Sequence, residues 1–203
     1  MYKFAVCGKA NSGKDTTSNI ICESIIENFY SLPNHKLHGY NGAKTMALAD
    51  PIKEMIRIMF PHIPRKHLYG PSKYRLELIP GAFKDGKPLT IRQLLMDLGT
   101  GLGRNYNSNI WLENIDLRLE KEEKKNRSVV VVTDVRFRNE FDHFKKNGFQ
   151  MIKLVREYSL NINHVSETQQ DSIKDDEFSY VINNNGSLED LKKEIFQMIH
   201  KLG

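Results

Sequence analysis

Gly8-Lys9-Ala10-Asn11-Ser12-Gly13-Lys14-Asp15-Thr16 follows directly on the apolar stretch Tyr2-Lys3-Phe4-Ala5-Val6-Cys7. The stretch reads as a short strand, and Asp15 to Tyr30 reads as a helix. A glycine-rich turn between strand and helix, closed by a lysine, is the pattern of a phosphate-binding loop. Its backbone N–H groups and the helix N-terminus together make an anion cradle. Lys14 would reach the β- and γ-phosphates of a nucleoside triphosphate. The position after the lysine usually carries a hydroxyl that touches Mg²⁺, and here it is Asp15. Either Asp15 takes the metal or Thr16 does, with Thr17 next along the helix. Gly8, Asn11, Ser12, Gly13, Lys14, Asp15, Thr16 and Thr17 are therefore the candidate nucleotide cradle.

Outward from this loop, Val129-Val130-Val131-Val132 is a continuous β-branched run, the pattern of a strand buried on both faces of a parallel sheet. Further strands are expected at Ala43 to Leu48, Phe149 to Val155 and Phe178 to Ile182, with helices between them. Asp50 is expected to cap a helix with Pro51 at its first position, and Ile52, Met55, Ile56, Met59 and Phe60 to line one face. Thr90 and Gln93 form a capping-box pattern before Leu94, Leu95 and Leu98, and Gly99 would end that helix. Trp111, Ile115 and Leu119 recur at helical spacing and read as core. Ser187 with Asp190 opens a last helix whose Leu188, Leu191, Ile195, Met198, Ile199 and Leu202 should point inward.

Strands alternating with helices imply a doubly wound α/β sheet, with ligands at the carboxyl ends of the strands. Two segments lack periodicity. Residues 61–89 hold five prolines among basic and aromatic residues, and residues 157–177 are polar. Loops of this length act as lids or binding segments. The chain of 203 residues is expected to be one domain, residues 1–203.

The net charge of +5 suits anionic ligands, but no dense basic run interleaved with aromatics argues for nucleic acid. Glu120-Lys121-Glu122-Glu123-Lys124-Lys125 mixes signs and reads as a solvated helix end. Cys7 and Cys22 read as buried reduced thiols. With no signal-peptide pattern and no long apolar run, a soluble intracellular protein is expected and no membrane partner. Apolar helix faces can serve core or interface, which leaves a homodimer open.

Thr133-Asp134 ends the valine strand, where an acidic side chain would lie beside the phosphate loop and could hold Mg²⁺. Arg136 and Arg138 follow and could neutralise a transferring phosphoryl group or grip an acceptor phosphate. A second group, Arg92, Thr100 and Arg104, lies around the glycine-spaced connection Gly99-Thr100-Gly101-Leu102-Gly103 and could bind a second anion. His164, Ser166 and Glu167 have neither a nucleophile elbow nor a zinc spacing, so their segment reads as a lid. Asn183 to Ser187 forms a turn against which a purine could pack.

Together these pieces resemble the deoxynucleoside monophosphate kinases of large DNA bacteriophages. The resemblance rests on Gly13-Lys14-Asp15-Thr16, Leu48-Ala49-Asp50-Pro51-Ile52-Lys53, the Arg92 to Thr100 helix, Asp134-Val135-Arg136, and the tail Val181 to Leu191. Asn163 to Glu167 is similar to part of the family's lid. A weaker similarity links the loop, Asp134 and the closing Asn-x-Gly-Ser to dephospho-coenzyme A and phosphomevalonate kinases. The resemblance implies a P-loop kinase-like fold: a mainly five-stranded parallel sheet flanked by helices, with insertions for the acceptor (residues 50–107) and a lid (residues 156–177). It implies ATP and Mg²⁺ as cofactors, and γ-phosphate transfer onto a deoxynucleoside monophosphate in the cytoplasm of an infected bacterium. Lys14, Asp134 and Arg136 would be catalytic, and Asp15, Thr16 and Asp134 the metal ligands. Asp50, Arg92, Thr100, Arg104 and Arg138 would hold the acceptor, with Asn183 near the nucleotide. A kinase acting on another small phosphorylated metabolite, or a nucleotide-dependent switch, are the competing readings.

Overall fold

The computed structural model describes residues 1–31, 42–157 and 169–202. The chain divides into two compact units, Met1–Leu48 with Ile115–Gly203, and Ala49–Asn114.

The first unit is built on a five-stranded sheet in the order β2-β5-β1-β6-β7, with every pairing parallel. Its strands are β1 (Tyr2–Cys7), β2 (Ala43–Ala47), β5 (Val129–Val135), β6 (Gln150–Val155) and β7 (Tyr180–Asn183). The valine run is central, between β1 and β2, and its valines are wholly buried. Parallel strands need long crossovers, and the intervening helices α1 (Lys14–Ser31), α6 (Ile110–Glu123), α7 (Arg138–Lys146) and α8 (Leu188–His200) provide helical cover.

Period-two alternation divides the strand residues between the faces. Phe4, Val6, Val129, Val131, Ile152 and Leu154 pack with Ile21 and Ile25 of α1 and with Leu191, Ile195 and Met198 of α8. Each such aliphatic side chain withdrawn from water stabilises the fold by about 1.5–3 kcal/mol. Phe141 and Phe144 of α7 are fully buried and meet Phe178 and Phe149 edge-on at 4.9 Å. Ser187 and Asp190 form the expected capping box at the start of α8. Leu188, expected inside, is 53% exposed at the first position of α8.

The run Glu120 to Lys125 is an exposed helix end as expected, with one exception. Glu122 is buried, and its carboxylate takes hydrogen bonds from Lys125 (2.8 Å) and Arg127 (2.6 Å). Cys7 and Cys22 are free and buried. Burial pushes both thiols up, Cys22 to about 12 and Cys7 further, where Glu140 adds to the effect. Neither is a reactive thiolate near neutral pH. Among the described residues no helix is long and apolar enough to cross a membrane.

The second unit gives order to a segment that has no periodicity in the sequence. It holds α2 (Asp50–Met59), α3 (Arg65–Tyr69), a 3₁₀ turn (Ser72–Leu76), the antiparallel hairpin of β3 (Leu78–Lys84) and β4 (Lys87–Thr90), and α4 (Ile91–Met96). Asp85 and Gly86 turn the hairpin, both at positive φ (52° and 74°), as a two-residue turn matched to strand twist demands. The expectation that Asp50 caps α2 is corrected: Ala49 is the cap position, and Asp50 is the first helical residue. Ile52 and Ile56 are buried as expected, whereas Met59 is half exposed.

The capping box of Thr90 and Gln93 is present. Gly99, however, does not end the helix. A π-helical stretch, Asp97–Gly103, continues it into α5 (Arg104–Tyr106). Trp111 explains this course, because its indole Nε1 donates to Gly99 O at 2.8 Å. A Cβ on Gly103 would lie 2.3 Å from the indole Cζ2, and one on Gly99 would lie 2.9 Å from Ile52 Cδ1. The glycines therefore admit bulky neighbours to the helix surface and do not open a loop.

Candidate active site

The phosphate loop leaves β1 at Gly8. Its shape rests on two left-handed residues, Asn11 (φ 65°) and Gly13 (φ 98°), and on a turn bond from Ser12 N to Lys9 O (3.2 Å). Both glycines are required by space. A Cβ on Gly8 would sit 2.8 Å from Leu154 O, and one on Gly13 would sit 2.5 Å from Asn184 Nδ2. Lys14 opens α1 and is buried, and its ammonium donates to Gly8 O (2.8 Å) and Lys9 O (2.9 Å). Those bonds curl the side chain back over the loop.

The loop keeps polar atoms out of water without pairing them. Ser12 Oγ and Thr17 Oγ1 are buried and have no hydrogen-bond partner among the described residues. Such groups cost about 1–3 kcal/mol each when left unsatisfied, and a bound polar ligand offsets that cost. Asp15 and Thr16, by contrast, are exposed in the first turn of α1.

Asp134 lies beside this loop through a bulge. The β1–β5 register runs to Val6 opposite Thr133, then jumps to Cys7 opposite Val135. The strand thus continues to Val135, and Asp134 is the extra residue, at φ 65°. A bulge re-aims its side chain, and this one carries a carboxylate oxygen to 3.9 Å from Lys14 Nζ. Arg136 Nη2 approaches the same oxygen at 3.7 Å. Two cations therefore converge on one carboxylate at the phosphate loop.

Glu140, which nothing in the sequence singles out, holds the turn after Asp134. It is buried, and one carboxylate oxygen accepts from Arg136 N (2.7 Å) and Phe137 N (2.9 Å). A carboxylate at the start of α7 also complements the helix dipole. Arg138 is engaged elsewhere, with Asp142 (2.9 Å) and Glu177 (2.7 Å), on an exposed face. These partners hold its guanidinium above its usual value, Asp142 most strongly. Lys9 pairs with Asp171 at 3.2 Å.

Asn183 is exposed at the end of β7 and accepts from Asn185 Nδ2 (3.1 Å). Its neighbour Asn184 is buried, and its amide donates to Ser12 O at 2.8 Å. The only sequence signal for it is its place in the run Asn183-Asn184-Asn185. His164, Ser166 and Glu167 lie outside the described residues.

The remaining candidates belong to the second unit. Asp50 lies on α2, 3.4 Å from the Nζ of buried Lys53. Arg92 lies on α4, Thr100 in the π-helical stretch, and Arg104 at the start of α5, donating to Ser108 O (2.9 Å). One continuous helical run thus carries Arg92, Thr100 and Arg104.

The first unit's donors fit the groups that the phosphate loop implies. The unpaired hydroxyls of Ser12 and Thr17 suit phosphate oxygens. Asp134, with Thr16 or Asp15, would supply oxygen donors of the hard kind that Mg²⁺ takes beside phosphate and water.

Residues 72–195, more than half of the chain, match the family of deoxynucleotide monophosphate kinases. A protein of Acanthamoeba polyphaga mimivirus, "Putative deoxynucleotide monophosphate kinase", is 25% identical over 209 residues, covering 98% of this chain and 96% of its own length. Among solved structures, a gluconokinase from Sinorhizobium meliloti 1021 aligns over 99% of this chain and 93% of its own, with a TM-score of 0.46 and 17% identity. TT1252 from Thermus thermophilus aligns over 100% of both chains, with a TM-score of 0.41 and 16% identity. The matched span contains Arg92, Asp134 and Arg136, and the phosphate loop stands before it. Because the matched span covers more than half of its length, the chain belongs to the deoxynucleotide monophosphate kinase family.

Proposed function

We propose that the protein transfers the γ-phosphoryl group of ATP to a deoxynucleoside 5′-monophosphate, forming ADP and the deoxynucleoside diphosphate. The observation that carries the reading is the convergence of Lys14 and Arg136 on Asp134 beside a glycine-built anion cradle. A carboxylate between two cations, at the phosphate loop and the start of α1, suits a reaction that moves negative charge and needs no protein nucleophile.

In this reading residues 8–16 hold the triphosphate. Lys14 swings from its loop carbonyls onto the β- and γ-phosphate oxygens. A phosphate oxygen of the monophosphate forms the new bond to the γ-phosphorus, as the bond to the bridging β–γ oxygen breaks in line. Arg136 offsets charge spread over the transferring group. Asp134, with Thr16 or Asp15, would hold Mg²⁺, which supplies electrostatic neutralisation of the phosphates. Arg92, Thr100, Arg104 and Asp50, within the acceptor segment 50–107, are the residues proposed to grip the monophosphate, and Arg138 is proposed as a further acceptor contact. Asn183 borders the nucleotide, and residues 156–177 form the lid. The work belongs in the cytoplasm, where ATP and DNA precursors are found.

The test is a coupled assay of ADP release with ATP and Mg²⁺ across deoxy- and ribonucleoside monophosphates, modified pyrimidines included. Stimulation by deoxynucleotides is the expected result. Stimulation only by a different phosphorylated metabolite would replace the acceptor, and ATP binding without any stimulated turnover would favour a switch.

A further inference from the structure

We infer that Asn184 is a positioning residue for the phosphate loop, fixing the orientation of the Ser12–Gly13 peptide plane. The inference rests on the reading of that loop as a nucleotide site. Asn184 stands 172 residues from Ser12, yet its amide donates to Ser12 O at 2.8 Å in a buried contact. Its own backbone is anchored, since Asn184 N donates to Val155 O at 2.8 Å, where β6 ends. The donor thus hangs from the sheet and does not depend on the loop for its place.

A trans peptide points its C=O and N–H in opposite directions. Holding the Ser12 carbonyl on Asn184 therefore directs the Gly13 N–H away from Asn184. In an anion cradle, that N–H is one of the donors that must face the phosphates. Gly13, at φ 98°, belongs to the residue type that turns over most readily, so this peptide is where the loop would flip. A flip would present a carbonyl oxygen to the anion and leave the buried Asn184 amide without its acceptor. The close fit gives the same direction: the space beside Gly13 is filled by Asn184 Nδ2.

The test compares three variants with wild type by calorimetric titration of ATP in Mg²⁺ and by melting of the unliganded protein. Asn184→Ala removes the donor, and Asn184→Asp keeps the shape while replacing donor by acceptor. Ser187→Ala weakens the cap of the following helix without touching the loop. The expected result is an ATP Kd raised about tenfold in Asn184→Ala and more in Asn184→Asp, as one directed hydrogen bond is lost. Ser187→Ala should lower the melting temperature and leave Kd unchanged. In turnover, KM for ATP should rise in Asn184→Ala while KM for the acceptor stays constant. An unchanged ATP Kd in both Asn184 variants overturns the inference and leaves the nucleotide reading standing. So does an equal loss in Ser187→Ala, which would mark general loosening. A wild-type protein that binds no nucleotide overturns both.

Discussion

Lys14 combines burial with polar neighbours that include two loop carbonyls and, farther off, Asp134. Phosphate oxygens are stronger acceptors for an ammonium than carbonyls, so these contacts are replaceable when a triphosphate enters. Lys14→Ala should lower kcat/KM by about 10³-fold or more, equivalent to about 4 kcal/mol of transition-state stabilisation. Its far-ultraviolet dichroism should stay native. Turnover close to wild type would remove Lys14 from the chemistry. Glu122 offers a different test, in stability. The hydrogen bond from Lys125 first, then Arg127, holds its carboxyl below the usual carboxylate range, against the opposing effect of burial. A depressed folded pKa contributes stability above the unfolded value of about 4.3, and that contribution drains away as pH falls through the lower folded value. Glu122→Gln should therefore cost about 1 kcal/mol at pH 7. Urea unfolding repeated below about pH 4 should find the gap to wild type narrowed. A constant gap at both pH values would contradict the assignment.

The run from α4 through the π-helical stretch to α5 has its own logic. Packing the Trp111 indole against a helix surface requires residues without Cβ at the contact, and a wider helical turn accommodates the indole hydrogen bond to Gly99. Gly103→Ala should destabilise by about 1–3 kcal/mol through overpacking, since the added carbon would overlap the indole. Gly101→Ala meets nothing within 4 Å and should be neutral or stabilising by up to about 1 kcal/mol. Denaturant melts of the pair decide the matter, and equal effects would reject a packing role for Gly103. The same contacts explain why this run resists reading as a loop. Arg92, Thr100 and Arg104 are presented from helical backbone, which holds side chains more rigidly than a flexible connection would.

Nucleotide binding and folding are linked, because a ligand that binds only the folded protein stabilises it by mass action. ATP at about 100 times its Kd, with Mg²⁺, should add about 2.7 kcal/mol and raise the melting temperature by about 5–10 °C for a protein of this size. The shift should be largely lost in Lys14→Ala. A wild-type melt indifferent to ATP would reject the nucleotide site altogether. Deoxynucleoside monophosphates tested alone should give a second shift, reporting the acceptor independently of turnover.

The elements legible in the chain are those with local causes. The strand at Tyr2–Cys7, the phosphate loop, the valine strand and both capping boxes are written in contiguous residues, through β-branching, glycine spacing and hydroxyl–carboxylate offsets. The places of the candidates Lys14, Asp134 and Arg136 follow from the same local patterns, Lys14 at the start of α1 and the other two around the end of β5. The hairpin was harder to find, because prolines and aromatics hid its Asp85-Gly86 turn. What no local pattern carries depends on register and on distant partners. The left-handed bulge at Asp134 exists only because β5 pairs with β1 in a register that slips by one residue. Glu140 gains its role from the turn it buries against, and Gly99 loses its expected role as a helix stop to an indole farther along the chain. Asn184 reaches Ser12 only because parallel strands bring the ends of β1 and β6 together, with β7 beyond. Local propensity chose the elements, and long-range packing set the backbone conformations at their ends, where the candidate chemistry lies.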